Sequence, residues 1–316
     1  MKTEAAGKKM IKAANNAVNY AVLTIIILLI AFAGYALWDS KQIHGAACST
    51  NYTVYKPTAV TAGKTFQELQ DLNPEVIAWL TVYGTNIDYP VAQADNNMKY
   101  VNTNAEGKYS LSGAIFLDSG NSRDFSDFNS IVYGHHMANK VMFGEIGEFA
   151  DKNIFDSQQY GNLYYGGKDY GIEFFSFVHT DAYDSLVYRP NVSEDRWQAY
   201  LDNIFEEAMY TRDIGVTTED RIILLNTCSS ISTNGRDILI GRITDEVFED
   251  TTGNKQAGNA DSPHGHVHDI TIWLLLILIL IGCLIVILII VYNKHRQNKS
   301  NKKLSKSIKK RGEVNG

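Results

Sequence analysis

The chain has 316 residues, 45% of them apolar, and it carries 29 basic and 35 acidic side chains. This length and composition suffice for one sizeable folded core with additional segments at its ends. The charges are unevenly distributed, because the region 39–269 holds 16 basic and 33 acidic residues. Such an acidic body argues against nucleic acid as a partner, since phosphate backbones are bound by basic side chains.

Two apolar segments without a charged residue, 17–38 and 270–292, are each long enough to cross about 30 Å of hydrocarbon as a helix. Lysines precede the first segment, and a run of nine basic residues between 294 and 311 follows the second. This pattern predicts two transmembrane helices, both termini in the cytoplasm and the acidic region outside the cell. A cleaved secretory signal is the alternative for the first segment, because Ala31-Phe32-Ala33 loosely fits a cleavage site. The apolar run is longer than a signal requires, and this favours an uncleaved anchor.

Composition then divides the remaining chain. Polar, turn-rich stretches flank the acidic body and predict two stalks, and folded structure is expected to begin with a short helix opened by Thr65. The predicted organisation is a cytoplasmic N-terminus at 1–16, a membrane helix at 17–38, a stalk at 39–63, a folded domain at 64–249, a stalk at 250–269, a membrane helix at 270–292 and a basic cytoplasmic tail at 293–316.

Between Pro74 and Thr244 the chain consists mainly of short β-type runs separated by Gly, Asn and Asp turns. The connections are mostly too short for repeated parallel crossovers, and this predicts a mainly β fold with a closed or nearly closed barrel. Two helices are expected to interrupt the strands, a short one at 141–150 and a long one at 193–210. The long helix has Ser193 as its N-cap and an apolar stripe that would pack on the barrel.

The three cysteines predict no disulfide framework. Cys283 lies in the second apolar segment and Cys48 just outside the first, so Cys228 is alone in the acidic body. A single thiol in an oxidising compartment is a liability unless it is buried or used. Cys228 ends the apolar strand LLNTC, a position that suits a nucleophile, although an inert buried cysteine is the alternative.

Two further residues occupy comparable positions. His135, followed by His136, comes directly after the apolar strand IVYG, and Arg236 begins the strand RDILI that follows the cysteine. A histidine, a cysteine and an arginine at strand ends form a three-part set, and a cysteine thiolate needs a nearby base or a positive field to be reactive.

These motifs resemble those of the sortases, surface transpeptidases of Gram-positive bacteria, in the order His, Thr-Cys, Arg over nearly all of 65–245. The runs GAIFLD at 113–118 and MFG at 142–144, together with the helix at 193–210, are similar to class B. The resemblance implies an eight-stranded barrel behind one or two N-terminal helices. Two features depart from class B: the second membrane segment, which is more typical of pilus-building class C, and Ser230, where an acidic residue is common. The region 39–63 lacks the class C lid motif, and this argues against class C proper.

The resemblance also implies a mechanism and partners. Cys228 would attack a Thr–Gly type bond in a sorting signal, His135 would serve as acid and then base, and Arg236 would stabilise the oxyanion. The partners would be surface proteins or pilins bearing a sorting signal and an amine acceptor, either a cell-wall precursor or a pilin lysine. No cofactor is implied. The residues expected to contact substrate are Thr227, Asn97 and Tyr188.

Weaker patterns yield alternatives. His264, His266 and His268 alternate in a stalk without a rigid surrounding, and the acidic loop 118–127 lacks EF-hand spacing, so neither is predicted to hold a metal. A hydrolytic cysteine peptidase is a rival reading, although papain-like enzymes place Cys before His. A degenerate sortase-like barrel acting as an assembly factor is a second rival, against which the intact His135, Cys228 and Arg236 speak.

Overall fold

A computed structural model describes residues 2–58, 64–181, 189–228 and 234–252, together with Arg296 and Lys299. The chain begins with a helix, α1 (Lys2–Ala47). Within α1, the stretch Ala6–Ala47 is the one helix of the described part of the chain that is long and apolar enough to span a membrane, with a mean hydropathy of 2.5 in its most apolar window. The second predicted membrane segment, 270–292, lies outside the described residues.

The described part of the chain contains nine strands. They are β1 (Val76–Val82), β2 (Asp88–Ala92), β3 (Ile115–Leu117), β4 (Asn129–Tyr133), β5 (Tyr160–Tyr165), β6 (Lys168–Asp181), β7 (Ala208–Thr211), β8 (Arg221–Cys228) and β9 (Gly235–Thr244). Their order is β5-β1-β2-β3-β4-β8-β9-β6, and β5 pairs with β6, so eight strands close into a barrel. The short strand β7 adds to β6 outside the ring. The predicted eight-stranded barrel is confirmed.

The barrel strands alternate between an inner and an outer apolar face, as the two-residue period of a strand requires. In β8 and β9, Leu225 and Leu239 belong to the inner core with Trp79, while Leu224 and Ile240 belong to an outer cluster. The helix Trp197–Glu207 covers that outer cluster. The cluster contains the buried residues Phe128, Phe175, Tyr200, Leu201 and Ile204. Both faces of these central strands are therefore packed, and this explains their continuous apolar sequences.

The remaining helices are α2 (Lys64–Leu72), α3 (Lys152–Ser157) and α4 (Trp197–Glu207), with 3-10 turns at Ser49–Asn51, Thr53–Tyr55, Lys99–Val101, Ile146–Ala150 and Glu194–Arg196. The predicted helix at 193–210 is thus shorter than expected. It begins as a 3-10 turn and ends at Glu207, because Ala208 and Tyr210 pair with β6 instead. The short helix expected at 141–150 is reduced to the turn Ile146–Ala150, since Met142 adopts a positive φ of 52° that no α-helix permits.

Folded structure begins earlier than the sequence predicted. Ala47 and Tyr52 are 1% and 6% exposed and belong to the inner core cluster, although the region 39–63 is predicted to be a stalk. They lie beside Tyr89, Ile115 and Met142. The expectation that folding starts at Thr65 is wrong, because Ala47 and Tyr52 belong to no periodic apolar pattern that sequence reasoning could detect.

Candidate active site

Strand register brings three predicted site residues into one row. The strands β4 and β8 are parallel, with Tyr133 opposite Asn226, and the Gly134 N–H extends the ladder by donating to the Asn226 carbonyl at 3.1 Å. Continuing this register by two residues beyond Tyr133 and Asn226 sets His135 beside Cys228. In the antiparallel pair β8–β9, Cys228 is the Cα partner of Arg236. Neighbouring strands lie about 4.8 Å apart, so the three positions are adjacent across three strands.

The imidazole of His135 is held by a backbone carbonyl. Its Nε2 lies 2.8 Å from the Val101 oxygen, and the side chain is half-buried. A carbonyl oxygen accepts but cannot donate, so Nε2 carries the proton. In the neutral ring Nδ1 is then the acceptor nitrogen, the one able to exchange a proton with a reacting group.

His136 has a different environment. Its backbone forms an isolated bridge with Met142, and its Nδ1 is buried without a hydrogen-bond partner in the described part of the chain. The register that extends β4 reaches His135 first, and the following residue turns into the loop. The two adjacent histidines therefore have different surroundings in the structure.

Arg236 stands at the start of β9 with its guanidinium half-buried, and its Nη1 donates to the Gly235 carbonyl at 3.1 Å. The next residue, Asp237, has a side chain only 4% exposed, and its Oδ1 lies 2.7 Å from His179 Nδ1. This pair ties β9 to β6 directly behind Arg236. Sequence reasoning missed it, because the pairing of His179 with Asp237 is a matter of register between distant strands.

The predicted substrate contacts differ in their placement. Thr227 is 2% exposed, and its Oγ1 lacks a hydrogen-bond partner among the described residues, so its hydroxyl is enclosed in the barrel. Asn97 bridges two loop positions, because its Nδ2 donates to Asp118 Oδ2 at 2.8 Å and its Oδ1 accepts from the Ser119 N–H at 2.7 Å. Tyr188 lies outside the described residues.

The acidic loop 118–127 is occupied by hydrogen bonds from the protein itself. The Asp118 carboxylate also accepts from the Tyr133 hydroxyl at 2.9 Å and from the Gly120 N–H, and Asp127 accepts from Asn121 and Ser122. These bonds explain why the acidic residues are clustered. The described residues contain no group of His, Cys, Asp and Glu arranged to hold a metal ion, and the histidines at 264, 266 and 268 lie outside them.

Known proteins are similar to this chain in sequence and in fold. No protein-family model matches the chain. Sortase B of Listeria monocytogenes is 31% identical over 181 residues, which cover 56% of this chain and 73% of that protein. Sortase B from the type II pilus of Streptococcus pneumoniae is 49% identical, with a TM-score of 0.51 over 57% of this chain and 99% of that one. A class B sortase of Streptococcus pyogenes involved in pilus biogenesis is 40% identical, with a TM-score of 0.53 over 57% of this chain and 98% of that one.

Proposed function

Since this chain belongs to the class B sortases, a family of cysteine transpeptidases, we propose that it transfers a protein bearing a C-terminal sorting signal to an amine through a thioester on Cys228. The observation that carries this assignment is the row of His135, Cys228 and Arg236 on adjacent strands. Cysteine is the nucleophile, histidine transfers the proton and arginine stabilises negative charge.

In the first half-reaction the Cys228 thiol gives its proton to Nδ1 of His135, and the resulting thiolate attacks the carbonyl carbon of the scissile peptide bond. The tetrahedral intermediate collapses as its C–N bond breaks. The protonated His135 gives its proton to the leaving amine, and the acyl group stays on sulfur as a thioester. The Val101 carbonyl supports this role, because it accepts from Nε2 and so directs Nδ1 to the reaction.

In the second half-reaction an amine attacks the thioester. His135 now accepts the proton of the incoming amine, the C–S bond breaks, and an amide is formed with the thiolate regenerated. Arg236 lies beside the reacting position in both steps. Its planar, permanently charged guanidinium suits an oxyanion or a substrate carbonyl, and the Asp237–His179 pair behind it fixes the strand from which it projects.

The substrate class we propose is a pilin, with a pilin lysine as the favoured amine and a cell-wall precursor as the alternative. The support is the similarity to two pilus-associated class B sortases, at 49% and 40% identity. We further propose that α1 anchors the protein in the membrane with the barrel outside the cell, since its apolar stretch is long enough to span and lysines precede it.

The test uses the full-length chain and its Cys228→Ala variant. With a peptide carrying a Thr–Gly bond and hydroxylamine as the amine, the wild-type protein should form a mass-detectable thioester and release a hydroxamate. Cys228→Ala should form neither. Turnover by that variant would refute the assignment. Mass spectrometry of surface proteins from cells with and without the chain then identifies the natural amine, as either a pilin lysine or a cross-bridge peptide.

A further inference from the structure

The loop that follows His135 is backbone-strained. Asn139, Lys140 and Met142 have φ values of 59°, 58° and 52°, in the left-handed region that residues with a side chain rarely adopt. Asparagine tolerates this region, but lysine and methionine do so at a cost in free energy. Strain of this kind persists only where surrounding contacts over-determine the conformation, and it is concentrated at functional sites.

One buried hydroxyl supplies such a contact. The Tyr89 Oη accepts a hydrogen bond from the Met142 N–H at 2.9 Å, and both residues are 2% exposed. The next residue, Phe143, donates its N–H to the His135 carbonyl at 3.1 Å. Tyr89 thus holds the strained residue Met142, and the N–H of the adjacent Phe143 binds the main chain of His135.

The same hydroxyl reaches the start of the folded body. Tyr89 Oη donates to the Ala47 carbonyl at 3.0 Å, at the last residue of α1. Burial raises the pKa of Tyr89, so the phenol stays protonated and can donate and accept at once. Tyr52, 6% exposed, packs in the same place and seats the segment 47–52 against the barrel.

We propose that Tyr89 is a positioning residue that makes the placement of His135 depend on the seating of residues 47–52, the link between α1 and the barrel. This inference rests on the proposed proton-transfer role of His135. Tyr89 lies on β2 and touches no reacting atom, so neither the strand pattern nor the row of three site residues indicates a role for it. Its effect is transmitted through Met142 and the loop backbone.

The test compares Tyr89→Phe with Tyr165→Phe in the full-length chain. The control also removes a buried hydroxyl that accepts a hydrogen bond, from Arg221 at 2.7 Å, and it lies away from the His135 loop. At a temperature where circular dichroism shows both variants folded, Tyr89→Phe should lower kcat about tenfold with an unchanged KM, since small displacements of a catalytic group cost this much or more. Tyr165→Phe should leave kcat within about twofold. Equal kcat values for the two variants would overturn the inference.

A second arm tests the link to residues 47–52. Tyr52→Ala should also lower kcat. The double variant with Tyr89→Phe should be no slower than the slower single variant, because both substitutions disturb the same packing of residues 47–52 on the barrel. If the falls in kcat of the two single variants multiplied in the double variant, the dependence of His135 on residues 47–52 would be refuted. His135→Gln tests the two proposals separately. Turnover by this variant would refute the proposed role of His135. An inactive His135→Gln together with an unaffected Tyr89→Phe would refute only the positioning role of Tyr89.

Discussion

Gly113→Ala tests whether the Val101 carbonyl positions the His135 ring. Gly113 has a φ of +60°, and a Cβ placed on it would overlap the Tyr100 carbonyl oxygen and lie 2.7 Å from that of Val101. These are backbone atoms, which cannot rotate aside as a side chain does. The added methyl must therefore displace the segment 100–101, and with it the oxygen that lies 2.8 Å from Nε2 of His135.

The magnitude follows from two separable costs. An alanine in the left-handed region costs roughly 1–2 kcal/mol of stability relative to glycine, and the steric push adds to it. A displacement of the order of 1 Å at a catalytic group lowers the rate by up to about 100-fold. We therefore expect Gly113→Ala to lose stability by more than the conformational cost alone, and to lower kcat between about 10-fold and 100-fold.

Gly166→Ala is the matched control, because Gly166 has a φ of +59° in the β5–β6 hairpin and a Cβ there would meet nothing within 4 Å. It carries the conformational cost without the displacement. Thermal unfolding and steady-state kinetics should show both variants destabilised, with only Gly113→Ala impaired in kcat. If folded Gly113→Ala retained the kcat of the Gly166→Ala control, the idea that Val101 positions the ring would be refuted.

Three further predictions concern Arg236, the two adjacent histidines and the buried Glu145. Arg236→Ala should lower kcat about 100-fold or more, the scale of a lost oxyanion donor, and Arg236→Lys should also be poor because it lacks the fork; a fully active lysine variant would exclude bidentate contact. His135→Gln should abolish transfer while His136→Gln largely preserves it, and the reverse result in the same peptide assay would exchange their roles. Burial raises the pKa of the Glu145 carboxyl, so its ionisation opposes folding and the wild-type chain should lose stability relative to Glu145→Gln as pH rises above about 4.5. Chemical denaturation at several pH values measures this, and a gap independent of pH would contradict it.

Sequence patterns predicted the barrel because its strands are short, apolar and separated by turn residues, and each of these properties is local. They also placed His135, Cys228 and Arg236 at strand ends, where the register aligns them in one row. The helix covering the outer cluster was predicted from its apolar stripe. Its true end at Glu207 was not, because the strand pairing of Ala208 with β6 overrides the helical pattern.

The supporting contacts of the site could not be predicted. The partner of His135 is a main-chain oxygen, which every residue possesses, so the side chain of Val101 gives no sign of it. The pairing of His179 with the buried Asp237 depends on the alignment of β6 with β9, and a single sequence does not specify register. Tyr52 and Ala47 pack on the barrel, but the sequence around them has no apolar repeat that would distinguish this segment from a stalk.

The parallel pairing of β4 with β8 has a consequence for when the protein becomes reactive. A parallel pair cannot close as a hairpin, and here the two strands are separated by β5, β6, β7 and two helices. Such distant contacts form late, since the entropy of closing the intervening chain must be offset first. A partly folded chain therefore holds Cys228 apart from His135, and turnover should arise only with the last closure of the sheet. Recovery of turnover after dilution from denaturant should accordingly lag behind recovery of hairpins such as β5–β6.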